Sequence, residues 1–84
     1  MIVRMWEVVA NPDAHQKVID WVCEVGVPRV EVEIGHIHTE VFTSTDHRVV
    51  VITRWRGNPV DLPAPPRHLT KRAPHSWDFS VVDR

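Results

Sequence analysis

The chain has one cysteine, three glycines and no long apolar run among its 84 residues. Each shortage excludes something. With Cys23 alone, no intrachain disulfide can staple the fold. A lone thiol in so short a chain suits a reducing interior better than a secreted scaffold, and its place inside a helical pattern predicts a buried, inert side chain. None of the glycines stands in G-x-G-x-x-G, so the dinucleotide fingerprint is missing. No apolar stretch approaches the ~20 residues needed to cross a bilayer. The opening MIVRMWEVVA is interrupted by Arg4 and Glu7, lacks a small-residue cleavage site and does not read as a signal peptide. Together these features predict a cytoplasmic protein with no membrane partner.

Neither sign of charge is in excess. The formal net charge is −1, but the signs are divided along the chain. Positions 1–47 hold eight acids (Glu7, Asp13, Asp20, Glu24, Glu31, Glu33, Glu40, Asp46) and three bases, whereas positions 48–72 hold six bases (Arg48, Arg54, Arg56, Arg67, Lys71, Arg72) and Asp61. One reading is a basic patch for nucleic acid or an anionic ligand. The other, which we favour, is that acidic and basic elements lie side by side and neutralise each other within a subunit or across a dimer. The length corresponds to one domain, residues 1–84. A domain of this size buries only about 60–65% of the surface its unfolded chain exposes. A homodimer is therefore expected to supply the missing burial.

Along the chain, IVRMWEVV (Ile2–Val9) is apolar on both faces, as in a strand covered on two sides. Asn11 and Pro12 then open a helix, with Asp13 suited to its N-terminal dipole. Ala14, Val18, Trp21, Val22 and Val25 recur at helical spacing. Gly26 is expected to end the helix and Pro28 to prevent its return. Val30, Val32 and Ile34 alternate with Glu31 and Glu33 and predict a strand. Gly35 marks a bulge or bend, and HIHTEVFT resumes the strand. STDH turns it and RVVVITRW returns. Residues 57–74 are proline-rich, with at most a turn or two of helix in PPRHLTKRA, and a final strand is expected at about 77–82. The order β-α-β-β-(short α)-β is the ferredoxin-like α+β arrangement, an antiparallel sheet with helix on one face.

The hairpin decides which side chains meet. If Thr45 and Asp46 form a two-residue turn, Phe42 opposes Val49, Glu40 opposes Val51, His38 opposes Thr53 and His36 opposes Trp55. A four-residue loop, Ser44–His47, keeps that register. All eight side chains would then share one face, apolar at the hairpin end and polar-aromatic at the other, as a small-ligand pocket requires. His36 and His38 have Cβ atoms roughly 6.5–7 Å apart, close enough for one divalent ion at ~2.0–2.1 Å per nitrogen. Glu40 lies about 13 Å from His36, too far to join them, which leaves His68 and His75 as candidates for a third ligand. Two alternatives stand beside the metal site. The polar groups either pair with neighbouring charges on a wet face, or His36 or His38 handles a proton in a ligand pocket.

MIVRMWEV as first strand, one helix after a proline turn, and above all EVFTSTDHRVVVITRW resemble the dimeric α+β barrel superfamily, specifically the antibiotic-biosynthesis-monooxygenase-like proteins. The resemblance covers residues 1–56. It departs in the proline-rich tail, where the family has a fuller second helix. It implies a homodimer whose two sheets close into a barrel, with a ligand cleft in each subunit between sheet and helices. Some members oxidise polycyclic aromatics without metal or flavin, and others bind and degrade haem. In both, the tryptophan ending the third strand borders the cleft, and Trp55 matches it. The haem-degrading members add a histidine, a role His68 or His75 would take. Both groups use an asparagine on the sheet, yet this chain has only Asn11 and Asn58, at a helix cap and beyond a strand end. Met5 and Trp6, and Val51, stand where the family's asparagines would be.

These residues define the expected functions. A cofactor-independent monooxygenase-like enzyme would bind an aromatic or polycyclic compound against Trp6, Phe42, Val49 and Val51, beside Glu40 and Thr53. Trp55 would stack on it, and His36 or His38 would act as general base. The missing asparagine favours instead a non-catalytic binding or dimerisation module that holds a small apolar ligand or simply pairs. A metal-binding protein built on His36 and His38 is the third reading. No cofactor is required by the first two; haem or a divalent metal belongs to the alternatives. Trp21 and Trp77 are expected to pack in the core, and core packing is the alternative reading for Trp6 and Trp55. RNA-recognition domains share the element order, but VVVITRWRG lacks their paired stacking aromatics, so nucleic acid is not an expected partner.

Overall fold

The computed structural model describes residues 1–84. It is α+β: a helical rod lies on one face of a four-stranded antiparallel sheet of order β2-β3-β1-β4. The strands are β1 (Ile2–Val9), β2 (His36–Thr43), β3 (Arg48–Trp55) and β4 (His75–Ser80). β1 and β3 form the centre, as their doubly apolar sequences require. β4 starts two residues earlier than expected and ends at Ser80.

The helix starts where Asn11 and Pro12 predict. A 3-10 turn, Pro12–Ala14, leads into α1 (His15–Trp21). It does not stop at Gly26. A π-helical stretch (Val22–Gly26) carries the chain into α2 (Val27–Glu31). Within it the Val27 N–H donates to the Val22 carbonyl rather than to its neighbour one residue on. This wider turn explains why Pro28 is tolerated: proline cannot donate and its ring crowds the preceding turn, and a π register loosens that turn. Gly26 has helical dihedrals. A Cβ there would lie 3.1 Å from both Leu62 Cδ2 and Trp21 Cζ3, so Gly26 is the notch through which the proline-rich segment reaches the helix.

The expected strand over 30–34 is corrected accordingly. Val30 is buried and continues the stripe of Val18, Val22 and Val27, whereas Val32 and Ile34 are 81% and 97% exposed in the turn that follows. The valine–glutamate alternation is real, but Val30 already belongs to the last helical turn. Cys23 points away from the core and is exposed, contrary to expectation.

The core fills the helix side of the sheet. Trp6 and Val8 from β1 and Val49, Val51 and Trp55 from β3 pack against Val18, Val22, Val27 and Val30. Leu62 closes this core, in place of a second helix. The sheet has no such cover on its other face, and the smallest dimension of the molecule is 17 Å. Part of the expected neutralisation of charge is visible within the subunit, where Glu7 meets Arg48 and Arg72, and Asp46 meets Arg48.

Gly35 sits at φ +93°, and a Cβ there would run into the Arg56 carbonyl oxygen, a backbone atom that cannot swing aside. Gly35→Ala should therefore destabilise by more than about 1 kcal/mol. Gly26→Ala should cost less, since movable side chains receive its methyl group and helix propensity returns about 1 kcal/mol. Urea denaturation of the two variants checks this order; a larger loss at Gly26 would contradict it.

Candidate functional site

The loop of the β2–β3 hairpin has an odd number of residues. Ser44 N–H donates to the Arg48 carbonyl, His47 N–H donates to the Ser44 carbonyl, and His47 has φ 68°. This is a three-residue loop, a turn followed by a left-handed residue. Histidine occupies the position where glycine or asparagine would have signalled it. The register moves by one: Thr43 pairs with Val49, Val41 with Val51, Thr39 with Thr53 and His38 with Arg54. A bulge between His36 and His38 then restores His36 opposite Trp55.

The single wall predicted from the sequence does not form. Val49, Val51, Thr53 and Trp55 face the helices and are buried. Phe42, Glu40 and His38 face the other way and are exposed. A one-residue slip has this effect because side chains alternate faces along a strand. His36 alone keeps its place: its ring stands edge-on to the Trp55 indole at 5.4 Å, and its Nε2 lies 2.5 Å from Thr39 Oγ1. His36 and His38, on opposite faces, do not converge as metal ligands, and no three His, Cys, Asp or Glu side chains do so elsewhere.

The helix side of the sheet is solid. Trp55 is fully buried, and its indole N–H donates to Thr53 Oγ1 at 2.7 Å. Trp6 is 2% exposed beside it, and the chain encloses no cavity. A haem does not fit there as packed: two indoles and Leu62 occupy the space, His68 is exposed, and His75 pairs opposite Glu7 on the far face. His68 contributes only its backbone carbonyl, which accepts from Asn11 Nδ2 at 3.0 Å.

The opposite face is open. It carries Val3, Met5, Glu7 and Val9 on β1, Val50 and Ile52 on β3, and the aromatic edges Phe42 on β2 and Trp77 and Phe79 on β4. Phe42, Trp77 and Phe79 are 46%, 42% and 51% exposed, so Trp77 is not the core residue its alternation predicts. The alternation in β4 is correct, but the aromatic face turns outward while Asp78 turns inward to Arg4. Arg4 holds Asp78 through two nitrogens, at 2.7 and 3.0 Å, and Asp61 at 2.9 Å.

Two polar clusters escape a reading by motif. Glu7, nearly buried on the open face, accepts from Arg48 Nη1 at 2.9 Å and from Arg72 Nη2 at 2.5 Å. The one available signal is a single carboxylate inside an apolar strand. Burial is the largest single influence on this carboxyl and pushes it up, but the hydrogen bonds and charges of Arg72 and Arg48 together outweigh it and hold it below the usual range. The Arg4 hydrogen bond likewise holds Asp78 down. The second cluster locks the hairpin loop to α1. His15 Nε2 lies 2.6 Å from Thr43 Oγ1, whose own proton goes to the Arg48 carbonyl. His15 therefore donates through Nε2, and in its neutral form accepts at Nδ1 from His47 Nδ1, 3.0 Å away.

Fold and faces together define a single-layer antiparallel sheet with helix on one side. The structure of Rv0793 from Mycobacterium tuberculosis is similar with a TM-score of 0.71 at 15% identity, over 99% of this chain and 96% of that one. An antibiotic biosynthesis monooxygenase is similar with a TM-score of 0.70 at 13% identity, over 99% and 100%. No family's sequence pattern matches the chain, and no curated protein matches it in sequence. At this identity the likeness establishes the fold, in agreement with the sequence resemblance.

Carboxyls held low stabilise the folded state fully above their unfolded values of about 3.9–4.3. That contribution disappears as pH falls through the lower folded values. Glu7→Gln should therefore be less stable than the parent at pH 7, and the two stability curves should converge below about pH 4. Denaturation midpoints between pH 3 and 7 test this; parallel curves would contradict it.

Proposed function

We propose that this chain is one half of a homodimeric α+β barrel and serves as a non-catalytic binding or assembly module. The observation that supports it most is the uneven finish of the two sheet faces. One is packed solid around Trp55; the other presents Phe42, Trp77 and Phe79 around an apolar field with nothing over it. Three strands of eight residues and one of six cover about 400–500 Å² in projection, at about 4.8 Å between strands and 3.3 Å per residue. A standard interface buries about 800 Å² per partner, so a stable pair would engage the whole face, side-chain relief included. A second copy offers the same apolar area, and isologous pairing lets it cover the face and be covered in return. A small aromatic or apolar ligand would be held between the paired sheets, against the exposed aromatic edges.

A monooxygenase-like activity on an aromatic compound is the second reading. It draws on a fold shared with a protein named antibiotic biosynthesis monooxygenase and on the His36 ring beside Trp55. In this reading His36 takes a phenolic proton at the rim of the buried indole, and Trp55 supplies a rigid edge rather than a stacking surface.

Light scattering and oxygen uptake separate these readings. The chain should elute at twice 9.7 kDa at tens of micromolar, and Trp77→Glu should give a folded monomer. With a polycyclic quinol, oxygen consumption should match a protein-free control. A monomeric parent chain would overturn the assembly reading, and turnover that falls at least tenfold in His36→Ala would replace it with the enzyme.

A further inference from the structure

Two imidazoles meet where the hairpin loop touches the start of the helical rod. His47 ends the loop and His15 opens α1, and their Nδ1 atoms lie 3.0 Å apart. Both rings are half-buried, with planes 86° apart, and Thr43, Thr45 and Asp46 around them are exposed, so the seam is at the surface. Main-chain bonds fix His47: its N–H donates to the Ser44 carbonyl, and its carbonyl accepts from the Ala10 N–H at 2.8 Å. His15 passes its Nε2–H to Thr43 Oγ1, whose own proton goes to the Arg48 carbonyl. His47 Nε2 has no partner within the chain and reaches solvent.

A spacing of 3.0 Å between imidazole nitrogens suits a shared proton, and it also suits a metal ion. An ion at ~2.0–2.1 Å from each nitrogen would see the two at about 91–97°. That is the right angle between neighbouring ligands in the square-planar and tetragonal sets of copper(II) and nickel(II). A tetrahedral zinc ion would need the nitrogens about 3.3–3.4 Å apart. The ion sits to one side of the line joining the nitrogens, so each ring turns by at most about 45° to aim its lone pair. The outer contacts are also those of ligating histidines, whose second ring N–H goes to an oxygen that orients the ring. His15 has that contact in Thr43, and His47 Nε2 faces solvent.

We propose that His15 Nδ1 and His47 Nδ1 form a two-imidazole site for one divalent transition-metal ion of the copper(II) or nickel(II) kind. The ion replaces the proton between the rings. With both imidazoles neutral, that proton moves from His47 Nδ1 to His47 Nε2, and none is lost to solvent. No third histidine, cysteine or carboxylate converges here, so water fills the other positions. The ion bridges loop and helix and strengthens the tie that fixes the β2–β3 offset. It stabilises the fold because the unfolded chain keeps the two imidazoles 32 residues apart. The site belongs to the single chain and does not depend on the pairing of sheets.

Calorimetric titration of the chain, without a histidine tag, with nickel(II) chloride tests this; nickel(II) leaves the exposed Cys23 thiol unoxidised. One ion per chain should bind. In proton NMR of the parent chain the ring signals of His15 and His47 should broaden before those of His36, His38, His68 and His75. His15→Gln and His47→Asn should each weaken binding at least tenfold; asparagine tolerates the left-handed backbone at 47. Cys23→Ser and His38→Ala should leave the affinity within twofold. Nickel(II) should raise the thermal midpoint of the parent and not that of His47→Asn. Absence of saturable binding, or broadening that begins at another histidine, overturns the site on the parent chain alone. An affinity unchanged within twofold in His15→Gln and His47→Asn, or lost in Cys23→Ser, overturns it as well.

Discussion

Side chains alternate across a strand, so the offset between β2 and β3 determines what each face of the sheet can do. A three-residue loop with a left-handed His47 sets that offset. It sends Thr39, Val41 and Thr43 toward the helices and Glu40 and Phe42 outward. The core is then completed from β1, β3 and the helix, with Trp55 and Trp6 at its centre. The outer face is left with its aromatics and a single embedded ion cluster. Solid core and open face are two consequences of one register. The His15–His47–Thr43 chain helps hold it, tying the loop to the first residue of α1.

Much of the fold was legible. β3 runs over the residues its pattern marks, β1 likewise, and the helix opens after Asn11 and Pro12. These elements rest on local signals, namely apolar runs, a turn cluster and a proline in the first helical turn; the Asn11 side chain caps no helical N–H and reaches His68 instead. The helix end was not legible, because Gly26 and Pro28 are ordinary stop signals and here serve other purposes. Gly26 admits Leu62, a contact from far along the chain, and a π turn accommodates Pro28. Neither is visible in a window of neighbours.

The candidate site was harder to read for a related reason. The residues were well chosen as types, but their meeting depended on the parity of one loop. Two- and four-residue loops give one answer and a three-residue loop the opposite one. His47 carries a weak left-handed preference, where glycine would have been decisive. The bulge at the far end returns His36 to Trp55, so the predicted wall survives as that one contact. Thr53, expected to meet a ligand, spends its hydroxyl on the Trp55 indole. Glu7, Arg48 and Arg72 come from three separate parts of the chain, and their convergence is a property of the folded sheet.

The shared fold with an antibiotic biosynthesis monooxygenase therefore carries over an architecture, while the distribution of side chains argues for pairing of sheets. The most direct test of this account is the hairpin register in solution. Cross-strand nuclear Overhauser contacts should link Val41 with Val51 and Thr39 with Thr53. Contacts linking Glu40 with Val51 and His38 with Thr53 would contradict it, and would return both histidines, Thr53 and Trp55 to one wall.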